Sequence, residues 1–407
     1  MASRYADLTR EQLAVLVPEL LLTGHLIDRA GMPWCIEAFG QDGMTEVAIE
    51  EWAGASPIYT KRMQRALRFE GDDVVTIFKG MQLEIGAPPQ FMDFRYSVTD
   101  RYHGGFHLDH CGALLDVEPM GDSYVKKMCH DIEDPTFDAT AVATNPKARM
   151  RPIHRPPRTP ADRHPHCAWT VEIDEDSPDV LPIPALAVNA ASQAARLELD
   201  EIDRSQEGNA DYSGDLVDDI DFPGFSHAAL VRIADEVCLQ MHLLNLSFLL
   251  AVGARTESEQ QALRIGTRQL TGHAGVTAER LARALDLPAT PEGAARLVEL
   301  HPVVNPLPYV DLVRDGATIT VSRSAAHDDG AWISLCGPGR LESLQAIVRA
   351  LDPHLDVEVT GTDEAWTATV VRAETAAPEA SEVAVTRFSK GAAFEFEGRR
   401  TLPIFAV

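Results

Sequence analysis

Four short segments concentrate the side chains that can do chemistry: RYHGGFHLDHCG ending at Gly112, MCHDIEDPTFD starting at Met128, RPIHRPPR starting at Arg151 and DRHPHCAW ending at Trp169. Half of the fourteen histidines fall between His103 and His166, interleaved with Cys111, Cys129 and Cys167. Imidazole and thiolate are the borderline-soft donors that zinc and iron favour, and carboxylates complete such a shell or move protons. The expected site is therefore a divalent transition metal, zinc or iron, held by donors drawn from His107, His110, Cys111, Cys129, His130, His166 and Cys167. On a strand, His107 and Asp109 share one face while His110 points to the other, so they do not all reach one ion. Asp109, Glu118 and Asp131 are the candidate catalytic proton-transfer groups, and the sequence does not choose among them.

Arg155, Arg158 and Arg163 surround the rigid Pro156-Pro157 pair and form the clearest basic patch in an acidic chain. Such forks could clamp a substrate carboxylate, or they could pair with Asp131, Asp134 or the acidic segment that follows. Cys111 could equally form a turn, and Cys129 within YVKKMCHDI could be a small buried apolar group. His166-Cys167 is the strongest pair, because a polar dipeptide opens an otherwise apolar strand. No glycine-rich phosphate loop and no G-x-S-x-G elbow is present.

These residues need a scaffold, and 407 residues with 45% apolar content supply enough core for two ordinary domains. A formal charge of −26 argues against a nucleic-acid binder and against adhesion to anionic membranes, leaving small-molecule partners and a homo-oligomer open. The N-terminus lacks the pattern of a secretory signal, and six cysteines without one point to reduced thiols in the cytoplasm. The run 237–252 is short for a bilayer span and reads as a buried helix. Helices are expected at 11–30, 56–69, 72–85 and 122–132, and strands at 91–100, 101–110, 149–154 and 167–173. An exposed acidic linker with one helix at 185–199 follows. Beyond it come a long helix at 226–252, further helices to about residue 300, and strands in YVDLV, ATITV and AWISLC. A helix at 341–351 and strands near Val357 and Trp366 end the pattern.

That order repeats. Cys111-Gly112 and Cys336-Gly337 precede a helix in each half, Asp134-Pro135 and Asp352-Pro353 end it, and Ala168–Thr170 and Ala365–Thr367 follow. The expected fold class is α+β with two related halves, each of helices followed by a small antiparallel sheet, the second half degenerate. The boundaries are 1–175 for a metal-binding domain, 176–223 for the linker and 224–407 for the eroded copy. In this register His107 faces Trp332, His110 faces Leu335, Cys129 faces Ile347, His130 faces Val348, His166 faces Asp363 and Cys167 faces Glu364. The ligand-type residues thus concentrate in the first half.

The strand from Phe106 to Cys111, the helix from Gly121-Asp122-Ser123-Tyr124 to Cys129, and the run from Arg158 to Cys167-Ala168-Trp169 resemble the L-2-amino-thiazoline-4-carboxylic acid hydrolase family. More distantly, they resemble the 4-vinyl-reductase-type small-molecule-binding domain. The chain departs from that pattern in its second copy and in His107, His110, His164 and His166. The resemblance implies metal-dependent hydrolysis of a ring or amidine-like C–N bond in a small carboxylate-bearing molecule. Cys129, Cys167 and His107 or His110 would hold the ion, Asp131 or Glu118 would shuttle the proton, and the arginines would hold the substrate. A non-haem iron oxidoreductase using His107, Asp109 and His164 or His166, and a binding module without turnover, are the competing classes.

Overall fold

A computed structural model describes residues 3–406. Helix α1 (Arg10–Ala53) starts at a capping box in which the Thr9 hydroxyl accepts from the Gln12 N–H. It runs well past the expected end at residue 30, through Pro33, and breaks only at Gly40, whose φ of 71° interrupts the helical backbone. Residues 19–32 are buried on every side, as a stretch of helix in the middle of a core must be. Helices α2 (Ser56–Ala66) and α3 (Val74–Met81) follow as expected. A hairpin of β1 (Met92–Val98) and β2 (His103–Cys111) comes next.

Cys111 caps the short α4 (Gly112–Val117) through its sulfur. The chain then enters α5 (Asp122–Lys126), a π turn at Lys127–Ile132 and α6 (Glu133–Val142). Asp134-Pro135 therefore lies inside a continuing helix and does not end it. Pro135 falls in the first turn after a π turn, where the i→i−4 ladder is already interrupted. Strands β3 (Ala148–His154) and β4 (Cys167–Ile173) complete an antiparallel sheet in the order β1-β2-β4-β3.

The segment expected as an exposed linker is fastened to the helices. It holds α7 (Pro184–Asn189) and α8 (Gln193–Arg196), and the Asn189 amide donates to Gly54 O, Leu243 O and Ser247 Oγ. Tyr212 is buried and its hydroxyl donates to Gln82. Two long helices, α9 (His227–Gly253) and α10 (Glu259–Ala284), then pack along α1. The apolar α9 is long enough to cross a membrane but is mostly buried here, in the manner of a core helix.

Helix α11 (Pro291–Leu300), β5 (Asp311–Asp315), β6 (Thr318–Ser322), α12 (Ala325–Asp328), α13 (Glu342–Leu351), β7 (Leu355–Gly361), β8 (Ala365–Arg372) and α14 (Ser381–Thr386) complete the second half. Its sheet has the order β5-β6-β8-β7, the same topology as the first. Trp169 pairs with Phe106 on one neighbour and Pro152 on the other; Trp366 pairs with Val321 and Gly361 in the same way. The two Ala-Trp-Thr motifs thus mark equivalent strands. Strand register places His107 opposite Ala168 and Ser322 opposite Ala365, so His107 corresponds to Ser322 and not to Trp332. AWISLC forms no strand. Trp332–Leu335 is a 3-10 turn that inserts Trp332 between the buried rings of His242 and His273.

The largest hydrophobic core runs from Tyr5 to Val370 and draws on both halves, while a second surrounds the first sheet and includes Phe248 and Val252 from α9. Gly24 sits where α1 meets its neighbours, and a Cβ there would lie 2.3 Å from Ile85 Cγ2 and 2.7 Å from Ile85 Cβ. Ile85 is fully buried and has no room to retreat. Gly24→Ala is expected to cost about 1–3 kcal/mol through overpacking, read as a lowered midpoint in chemical unfolding. An unchanged midpoint would show that the α1 contact is looser than described.

Candidate functional site

Strand alternation separates the expected ligands. His107 and Asp109 point outward, at 43% and 56% side-chain exposure, and sit 3.4 Å apart, with Asp109 also near Arg95. Cys111 has the parity of His107 and Asp109, but the register shift between Met92 and Phe94 breaks the alternation there, and it lies with Cys129 and Cys167 in the core around the first sheet. His110 pairs through Nδ1 with Phe91 O at 2.9 Å and stacks loosely on His166. His166 is buried, and its Nδ1 accepts from the Cys111 N–H at 3.1 Å, which places its own proton on Nε2. Burial, with Arg158 next in effect, pushes His166 down to about 4. His130 donates from Nε2 to Pro156 O at 2.7 Å.

Cys111, Cys129 and Cys167 lie within electrostatic range of one another and of Glu133, and burial, then Glu133, pushes all three upward, Cys111 to about 12. The histidines do not join them, and among the described residues no three His, Cys, Asp or Glu side chains are grouped so as to hold an ion. The donor set expected for zinc or iron therefore does not fit, and neither does a facial triad of His107 and Asp109 with His164 or His166.

The expected clamp and proton shuttles are engaged elsewhere. Arg158 grips Glu118 with two bonds of 2.9 Å, Arg155 pairs with Asp134, and Asp131 pairs with Lys127 at 3.1 Å. Arg163 is exposed and makes no ion pair among the described residues. None of these three acids or three arginines lines a cavity with the thiols.

A different constellation faces inward. A cavity of about 90 Å³, several times the ~10–15 Å³ that one water requires, lies between α1, the α5–π–α6 helix and β1. Its walls are mainly apolar and rich in methionine, with Met32, Met44, Met92 and Met128 beside Trp52 and Phe94. Into it α1 directs His25, Asp28, Arg29 and Met32, whose i, i+3, i+4, i+7 spacing puts them on one helical face. Glu133 and Phe137 come from α6, Glu84 from the turn after α3, and Tyr59 from α2.

Arg29 is only 2% exposed. Its Nη1 bonds Asp28 at 2.7 Å and its Nε lies 3.4 Å from Asp116, an ion pair without hydrogen-bond alignment. Its remaining donor, Nη2, meets only the Met128 sulfur at 3.6 Å, a weak acceptor. Glu133 Oε2 and the Tyr59 hydroxyl have no hydrogen-bond partner, and His25 makes no well-formed hydrogen bond, its ring facing the Ile85 backbone. Buried polar atoms are almost always satisfied, so these orphans leave the cavity with unmet hydrogen-bonding capacity. Burial pushes Glu133 and Glu84 up to about 8 and His25 down to about 3, so at neutral pH all three are uncharged. Glu51, behind Asp28, is pushed up by burial and by that aspartate.

Most polar groups of this site come from α1, α2 and the residues after α3, outside the histidine-rich segments, and only Glu133 lies within one of them. The available signal was His25, Asp28 and Arg29 interrupting an otherwise apolar helix. No family model matches the chain, and no curated protein or solved structure matches it either.

Two measurements check this description. The thiols of Cys111, Cys129 and Cys167 should resist iodoacetamide in the native protein at pH 8 and react once it is unfolded, because neutral buried thiols are poor nucleophiles; rapid native labelling would contradict their burial. Glu84 bonds the Thr60 hydroxyl and keeps its proton to about 8, whereas an unfolded carboxyl loses it near 4.5. Between those values the native state binds more protons, so stability falls as pH rises. Glu84→Gln should flatten that fall in thermal unfolding between pH 5 and 8; an unaltered slope would mean Glu84 is ionised in the fold.

Proposed function

We propose that the first-half cavity is the substrate site of a hydrolase acting on a C–N bond of a small molecule, of the ring or amidine-like kind that the family resemblance implies. The observation that carries this reading is the unpartnered Oε2 of Glu133, held at about 8 in an otherwise apolar cavity. A general base works best when its pKa lies near the operating pH. In its carboxylate form Glu133 takes a proton from water as the water oxygen bonds to the substrate carbon. It returns that proton to the nitrogen as the C–N bond breaks, so atoms and charge balance without another reactant. Methionine and aromatic walls limit access of bulk water, which strengthens each polar contact inside. Arg29 and Asp28 form a fixed dipole beside the reacting atoms.

A binding module without turnover is the second reading, favoured by the small size of the cavity. Glu133→Gln separates the two. With a panel of small cyclic and open amidines, the wild type should show kcat/KM rising with pH to a plateau above about 8, because the carboxylate is the active form. The variant should lose roughly 10²–10⁴-fold, the usual contribution of a positioned proton-transfer group, while remaining folded. Binding without product in either protein would favour the module, and a fully active variant would remove Glu133 from the chemistry.

A further inference from the structure

The charges around the cavity are unbalanced towards acids. Asp28, Glu84 and Glu133 line it, with Glu51 and Asp116 immediately behind. Only two cationic side chains line it, and both are committed. Arg29 lies between Asp28 and Asp116, and the Lys127 ammonium turns outward to Asp42 at 2.7 Å and Asp131 at 3.1 Å. A carboxylate guest would meet Asp28 and find no unengaged guanidinium edge apart from the Nη2 directed at Met128. By contrast, Glu133 Oε2, the Tyr59 hydroxyl and a ring nitrogen of His25 can all accept a hydrogen bond, and none has a partner. Tyr59 and His25 are 1% and 5% exposed, so these are built, inward-facing groups. Trp52 adds an aromatic face suited to a cation.

From this geometry we infer that the cavity takes a small organic molecule whose positive charge sits on nitrogen, with a short apolar body, and that the protein gives up one proton as it binds. The inference rests on the cavity being the ligand site and names the charge of its guest. The proton comes from one of the two neutral acids, Glu133 or Glu84, which an incoming cation allows to ionise. Glu133 also faces Arg155, Asp134 and Arg29, and the neutral thiols of Cys111, Cys129 and Cys167. Glu84 faces the Thr60 hydroxyl and lies within electrostatic range of Tyr59 and Tyr96. No arginine or lysine pairs with either acid at hydrogen-bond distance among the described residues, so the guest supplies the compensating charge.

The test is a ligand-observed NMR titration of the full chain with n-propylammonium and its neutral isostere 1-propanol at several pH values. Release of one proton on binding requires affinity for the cation to rise about tenfold per pH unit below about 8 and level off above it. Affinity for 1-propanol should be weaker and flat. The slope should vanish in Glu133→Gln or in Glu84→Gln, each checked for folding by thermal unfolding. Equal affinity for the two probes, or a cation affinity independent of pH in the wild type, would overturn the charge assignment and leave the cavity as a site. Binding of neither probe would overturn both.

Discussion

The guanidinium of Arg29, buried in the middle of an apolar helix, is the interaction on which much of this structure turns. A charge removed from water is tolerated only with opposite charge and hydrogen bonds close by, and removing one partner of such a pair typically costs about 3–5 kcal/mol. Asp28 supplies one carboxylate from the same helix, and Asp116 supplies the other from α4. Asp116 is in turn held by the Ser389 hydroxyl at 2.6 Å and the Lys390 N–H at 2.8 Å. A segment near the end of the chain thereby helps set the charge balance of a cavity built by its beginning. The same stretch lays Phe394 against Phe91 and His110, and its Gly391 and Ala392 carbonyls accept from Arg280.

The two sheets are topological twins, yet their surroundings have diverged in a physically readable way. In the first half the space beside the sheet is left partly open as a cavity. In the second, Trp332 occupies the layer between α9 and α10, stacked with His273 and tilted against His242. Those histidines are neutral through burial and bond to Thr23 O and Asn305 O. A filled aromatic layer stabilises; an open one can receive a guest. The largest core is shared between the two halves.

Local patterning carried much of the fold. The alternation in CAWTVEI identified β4 from Cys167 to Ile173, and Ser226 before a long apolar run marked the start of α9. Elements decided by tertiary contact were less legible. AWISLC has the composition of a strand, but packing against His242 and His273 holds Trp332 in a turn. The helix through Asp134-Pro135 continues because a π turn precedes it. For the site, residue type is consistent with the burial of Cys111, Cys129 and Cys167 in one core but does not reveal which groups meet. His107 lies one residue from Leu108 and so on the opposite face. Arg155 and Arg158, read as a clamp, are satisfied by Asp134 and Glu118, pairs that no linear spacing announces. Glu133 stands two residues beyond Asp131, and its distinction is its burial, which linear spacing does not show.

The central claim is that uncharged carboxyl groups line the first-half cavity at neutral pH. Difference infrared spectroscopy reads this directly, since a protonated carboxyl has a C=O stretch well separated from that of a carboxylate. The wild type should show a buried protonated-carboxyl band at about pH 6 that fades with a midpoint near 8, and Glu133→Gln should lose part of it. A wild-type spectrum with no such band above about pH 6, or one unchanged by Glu133→Gln, would contradict the account.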